Sequence, residues 1–123
     1  MGLEQLLESA SLDVVSVANG DAAVALVTKK KIRPDLVLSD FNLPGPMNGV
    51  ESINALRAAL ASEIPAVVLT GDTRLQKLEM ITNQHIEIAM KPVDGDQLIQ
   101  LISQLMPVAK SRHGRSAEPL LQQ

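Results

Sequence analysis

Apolar residues recur along this chain in two alternating rhythms. Leu3, Leu6, Leu7 and Ala10 repeat at helical spacing, so the chain opens on a predicted helix. Asp13 to Ala18, with Val14, Val15 and Val17, predicts a short buried strand. Asn19-Gly20-Asp21 then forms a turn able to cap a helix running to about Lys29. Arg33-Pro34-Asp35 breaks the chain. Leu36-Val37-Leu38 follows without polar alternation, as in a parallel strand covered on both faces, and it ends at Ser39-Asp40. The segment Asn42-Leu43-Pro44-Gly45-Pro46-Met47-Asn48-Gly49 predicts a loop. Asn48 and Glu51 have the spacing of a capping box, and Val50, Ile53, Leu56 and Leu60 line one side of the helix behind them.

The second half repeats the scheme. Pro65 opens a strand, Ala66-Val67-Val68-Leu69, ending at Thr70-Gly71-Asp72. A more polar helix follows, with Leu75, Leu78 and Ile81 facing inward. Ile86 to Met90 predicts a fourth strand, placed at an edge by Glu87, and it ends at Lys91-Pro92. Asp94 and Gln97 suggest another helix cap, and Leu98, Leu101, Ile102 and Leu105 give the clearest apolar stripe in the chain. Pro107 ends that helix. From there to Gln123 the sequence has no periodicity, so residues 1–106 are expected to form one domain and 107–123 a disordered tail. Alternating helices and strands predict an α/β fold with a parallel sheet, whose ligands sit beyond the carboxyl ends of the strands.

Composition narrows the function. Phe41 is the single aromatic residue and the net charge is -3, which argues against base stacking and electrostatic nucleic-acid binding. The absence of cysteine removes disulfides, thiolate metal sites and thiol catalysis. No apolar run approaches a membrane span and no signal-peptide pattern opens the chain, so no membrane partner and a cytoplasmic location are expected.

Three polar residues end successive strands: Asp40, Thr70 and Lys91. In a parallel sheet those ends share one rim. A carboxylate can attack phosphorus and form an acyl phosphate, a hydroxyl can donate to a phosphoryl oxygen, and an ammonium can neutralise the added charge. Each type is also common at strand ends, where it need do nothing beyond meeting water.

Taken together, Leu36-Val37-Leu38-Ser39-Asp40-Phe41-Asn42-Leu43-Pro44-Gly45, Asn48-Gly49-Val50-Glu51, Val67-Val68-Leu69-Thr70-Gly71-Asp72 and Met90-Lys91-Pro92-Val93 resemble a response-regulator receiver domain of the CheY-like type. Order and spacing match over nearly all of residues 3–106. The Thr-Gly-Asp and Lys-Pro-Val segments look most like the C-terminal receiver of a hybrid sensor histidine kinase. The resemblance implies a flavodoxin-like, doubly wound sheet of family order 2-1-3-4-5. It makes Asp40 the phospho-acceptor, Thr70 the residue that binds the phosphoryl oxygen, and Lys91 its counter-ion, with a cis Lys91-Pro92 bond. It also implies Mg²⁺ as cofactor, held by Asp40 and the Asn42 backbone carbonyl, and a sensor histidine kinase or phosphotransfer protein as partner. Such a domain is not an enzyme in its own right.

The sequence departs from that family in three respects. The family's first strand ends in adjacent acids that help to hold Mg²⁺; here the first residues already read as the first helix, and no two acidic residues are adjacent anywhere in the chain. Asp35 stands at the wrong end of its strand, and Asp72 reads as a loop residue or helix cap. Losing the metal's offset of charge repulsion removes several kcal/mol, roughly 10²- to 10⁴-fold in rate, so poor phosphorylation and weak or absent Mg²⁺ binding are expected. Ile88 occupies a position that is often aromatic in the family, which fits core packing better than a moving switch. An N-terminally shortened receiver of about four strands and five helices is therefore expected, with two exposed strand edges that invite re-pairing or a homodimer. Two other functions compete. One is a phosphorylation-independent interaction scaffold with a receiver fold. The other is a phosphatase of the haloacid dehalogenase type, which needs an aspartate where Asn42 stands.

Overall fold

The computed structural model describes residues 3–9, 15–30, 33–71, 74–105 and 119–122. In chain order the elements are α1 (Leu3–Ser9), β1 (Val15–Val17), α2 (Gly20–Lys29), β2 (Leu36–Asp40), α3 (Gly49–Leu60), β3 (Ala66–Thr70), α4 (Leu75–Thr82), β4 (Glu87–Met90), α5 (Gly95–Leu105) and β5 (Pro119–Gln122). The helices start where local chemistry supplies acceptors for their first amides. The Asn19 side chain accepts from Ala22 N at 2.8 Å, and Asn48 and Glu51 form a reciprocal capping box. Asp94 Oδ1 accepts from Gln97 N at 3.1 Å. All three caps fall where the sequence placed them.

The strands make one parallel sheet in the order β1-β5-β2-β3-β4. Side chains alternate between its faces. Val37, Val68 and Leu120 point into one cluster with Ala23 and Val27 of α2 and Ile53 and Leu56 of α3. Leu36, Leu38, Val67, Leu69 and Leu121 point the other way, against Leu7 of α1 and Leu98 and Ile102 of α5. Both faces are thus covered, which is why β2 and β3 read as unbroken apolar runs. The expected α/β doubly wound architecture is present. As Glu87 suggested, β4 is an edge strand. Arg57 ties the end of α3 to the next elements, donating to the carbonyl oxygens of Ile64, Gln84 and His85. Burial lowers the pKa of its guanidinium, while Glu63 acts in the opposite sense.

Two expectations are corrected. The sheet has five described strands where about four were expected, and residues 119–122 are a strand where a disordered tail was expected; residues 106–118 lie outside the described residues. The physical reason is the gap between β1 and β2. Each carries a row of backbone donors and acceptors that an adjacent strand must meet. Pro119–Gln122 meets both, pairing Leu120 with Val15 and Val37, and Leu121 with Ser16 and Leu38. Leu120 and Leu121 are buried, each contributing about 1.5–3 kcal/mol of hydrophobic stabilisation. Pro119 fits because it opens the strand, where its missing N–H interrupts the ladder least. The β1 and β2 edges expected to be exposed are therefore covered by the chain itself.

Candidate functional site

The parallel register staggers the three polar residues across the carboxyl rim. Asp40 lies beside Leu69, and Thr70, the next residue of β3, lies beside Met90, the residue before Lys91. Backbone bonds hold this stagger: Phe41 N donates to Leu69 O at 2.9 Å, and Lys91 N donates to Thr70 O at 2.9 Å. The Lys91-Pro92 peptide is cis, as the resemblance implied.

The side chains of Asp40 and Lys91 meet. Lys91 Nζ is 2.9 Å from Asp40 Oδ1, with the two side chains 47% and 22% exposed respectively. The pair is partly solvated, so its value lies in placing a cation at the carboxylate rather than in stability. Thr70 is buried at the end of β3, in the strand between the two whose ends carry Asp40 and Lys91. Asn42 is exposed, two residues beyond Asp40 at the start of the loop leading to α3. Gly49 closes that loop. Its N–H donates to Phe41 O at 2.7 Å, and a Cβ there would stand 2.3 Å from the carbonyl oxygen of Asp40. Only glycine permits this approach, so α3 can start directly under Asp40.

The strand beside Asp40 contributes residues that the sequence did not single out. Gln122 is paired in register with Ser39 and is wholly buried; its Oε1 accepts from Ser52 Oγ of α3 at 2.9 Å, while its Nε2 has no hydrogen-bond partner. Ser39 Oγ donates to the carbonyl of Asp40 at 2.8 Å. The one sequence signal for Gln122 is the apolar pair Leu120-Leu121 before it, which is too short to stand out from a polar tail.

The donors described at this rim are not those of a dedicated Mg²⁺ site. Among the described residues no three His, Cys, Asp or Glu groups converge to hold a metal ion. Asp40 is one carboxylate, already paired with Lys91, and on the neighbouring strand β5 the position beside Ser39 is a neutral amide engaged with Ser52. Asp72 lies outside the described residues. Among the described residues, no helix is long and apolar enough to cross a membrane.

Comparison with known proteins gives the family of this fold. The family model described as the response regulator receiver domain matches residues 1–103. Protein PilH of Pseudomonas aeruginosa is 31% identical over 108 residues, 85% of this chain and 85% of PilH. The DNA-binding response regulator MtrA of Mycolicibacterium smegmatis is 48% identical over 81 residues, 65% of this chain and 34% of MtrA. The match thus spans about a third of that relative's length. Among solved structures, chemotaxis protein CheY4 of Vibrio cholerae superposes with a TM-score of 0.73 at 26% identity, covering 84% of this chain and 85% of that one. The signal receiver domain of a modulated diguanylate cyclase from Desulfovibrio desulfuricans gives 0.74 at 28% identity, covering 89% and 86%.

Proposed function

The chain belongs to the response regulator receiver domain family of two-component signalling, and on that premise we propose that Asp40 is its phospho-acceptor, taking a phosphoryl group from the histidine of a sensor kinase or phosphotransfer protein. The observation that carries this reading is the 2.9 Å contact between Lys91 Nζ and Asp40 Oδ1 at the carboxyl rim of the sheet. In the transfer, a carboxylate oxygen of Asp40 forms an O–P bond as the P–N bond of the phosphohistidine breaks. The departing imidazole keeps the electron pair of that bond and takes a proton from solvent. Lys91 turns from the carboxylate to the phosphoryl oxygens, where an ammonium offsets the arriving negative charge. Thr70, on the strand between and in register with Met90, would donate its hydroxyl to the new group, and its position in β3 supports a part in passing the change to the sheet.

Transfer is slow in this reading, because one carboxylate and an Asn42 carbonyl hold a divalent ion weakly. The chain acts as an acceptor rather than as a turnover enzyme, and Asn42 leaves it without the general acid that a haloacid-dehalogenase-type phosphatase uses. A cytoplasmic setting and a place in a hybrid kinase fit the same reading.

Phosphoramidate, whose P–N bond stands in for phosphohistidine, tests it. The expected product is a phosphoryl adduct that hydroxylamine removes, as an acyl phosphate requires, and that Asp40→Asn abolishes. An adduct surviving in Asp40→Asn contradicts the assignment.

A second reading, an interaction scaffold that ignores phosphorylation, draws support from the β4–α5 side. A cleft of about 380 Å³ there is lined by Ile88, Met90, Val93, Gln97, Leu98 and Leu101, and Met90 is 39% exposed. It is favoured if partner binding is the same for the unmodified chain and Asp40→Asn.

A further inference from the structure

An interior strand of the sheet, β5, comes from the C-terminal side of α5. β5 pairs with β1 and β2, and its Gln122 takes a hydrogen bond from Ser52, seventy residues away in sequence. Among the described residues, β5 is the one strand that pairs with β1. These contacts are made by the four strand residues themselves, so they do not require that β5 belong to the same molecule. Thirteen residues, 106–118, separate α5 from β5. Thirteen residues span up to roughly 43–47 Å when extended, more than the ~30 Å diameter of a small domain.

We infer that the slot between β1 and β2 accepts Pro119–Gln122 from a second copy of this chain as well as from its own, giving a reciprocally exchanged dimer. The occupant is fixed by fit: this segment is seen to match the slot in register, in apolar faces and in the Gln122–Ser52 bond, and every other copy carries it. Exchange between two copies closes as a two-fold pair and leaves no slot empty. Each copy then supplies the strand beside the other copy's Asp40. Insertion within one chain prevails in dilute solution, because a short tether holds the strand at an effective concentration of about millimolar. The exchanged form therefore grows with concentration and reverts slowly on dilution, since the sheet must open to release the strand. The inference stands whether or not Asp40 accepts a phosphoryl group.

The chain has no cysteine, so paired single-cysteine variants read the exchange directly. Ser39 and Gln122 are register partners in adjacent strands. Their backbones should lie about 4.7–4.9 Å apart, within the roughly 4.4–6.8 Å that a disulfide spans. Full-length Ser39→Cys and Gln122→Cys chains, each checked for native circular dichroism, are mixed at millimolar concentration and oxidised. The expected product is a disulfide-linked pair at twice the 13.2 kDa chain mass, with the two named positions joined. It is lost on dilution before oxidation. A doubly substituted chain oxidised in dilute solution gives the within-chain link as the control. Should either variant not fold, light scattering of the unmodified chain across the same concentrations decides, with a slowly reverting dimer expected. A monomer at every concentration, or a dimer without the Ser39–Gln122 link in folded variants, overturns the inference.

Discussion

Replacing Leu121 by alanine probes whether the C-terminal strand belongs to the core. The Leu121 side chain is fully buried, packed in the cluster of Leu36, Leu38, Val67 and Leu69 between the sheet and helices α1 and α5. Leucine-to-alanine changes at such positions cost about 2–5 kcal/mol, from lost transfer free energy and the cavity left behind. An interior strand flanked on both sides has little room to collapse, so about 3 kcal/mol is expected. With a urea m-value of about 1.5 kcal/mol/M, the unfolding midpoint falls by about 2 M. Domains of this size hold only about 5–15 kcal/mol of stability, so the variant remains folded but visibly weakened. The chain has no tryptophan or tyrosine, so far-ultraviolet circular dichroism is the suitable signal. Gln100→Ala on the exposed side of α5 serves as control, with a change within about 0.5 kcal/mol. If Leu121→Ala shifts the midpoint no more than Gln100→Ala, β5 is not seated in the sheet and the five-strand account fails.

Three further perturbations test separate parts of the account. Ser52→Ala alone strands the buried Gln122 Oε1 and is expected to cost about 1–3 kcal/mol, whereas Ser52→Ala with Gln122→Met removes both polar partners and recovers most of that loss; equal costs in urea titrations would refute the buried pair. Gly49→Ala places a methyl against the Asp40 carbonyl and should destabilise by about 1–3 kcal/mol while lowering adduct formation at Asp40; a variant as stable as the parent in thermal unfolding contradicts the close approach. Lys91→Ala breaks a half-exposed ion pair, so stability should change by less than about 1 kcal/mol, yet phosphoryl transfer from phosphoramidate should fall sharply; unchanged transfer removes Lys91 from the site.

Most of the fold was legible because its signals are local. Asn19, Asn48 and Asp94 cap helices through side chains that reach only three residues ahead, and the apolar runs of β2 and β3 announce strands covered on both faces. Asp40 and Lys91 were legible for a related reason: parallel strands bring their carboxyl ends to one rim, so residues far apart in sequence meet there. β5 was not legible. Four residues that begin with a proline have no periodicity to read, and their extended form is imposed by the gap between β1 and β2, which is a property of the assembled sheet. Gln122 was missed with it. In a tail it is an ordinary polar residue, and only docking turns it into a buried amide one strand from Asp40. Asp13, Val14 and Asp72, assigned in the sequence to strand and loop, lie outside the described residues.

The central claim is that Asp40 accepts a phosphoryl group at a site with little help from a divalent ion. Mass spectrometry of the intact chain after incubation with acetyl phosphate, with and without Mg²⁺, on this sequence and on Asp40→Asn, tests it most directly. The account predicts one slowly formed phosphoryl adduct, mapped to Asp40, absent from Asp40→Asn and altered only a few-fold by Mg²⁺. Rapid, stoichiometric, Mg²⁺-dependent labelling would show that the metal site is intact. No adduct on the folded chain under either condition would show that Asp40 is no acceptor, and the scaffold reading would take its place.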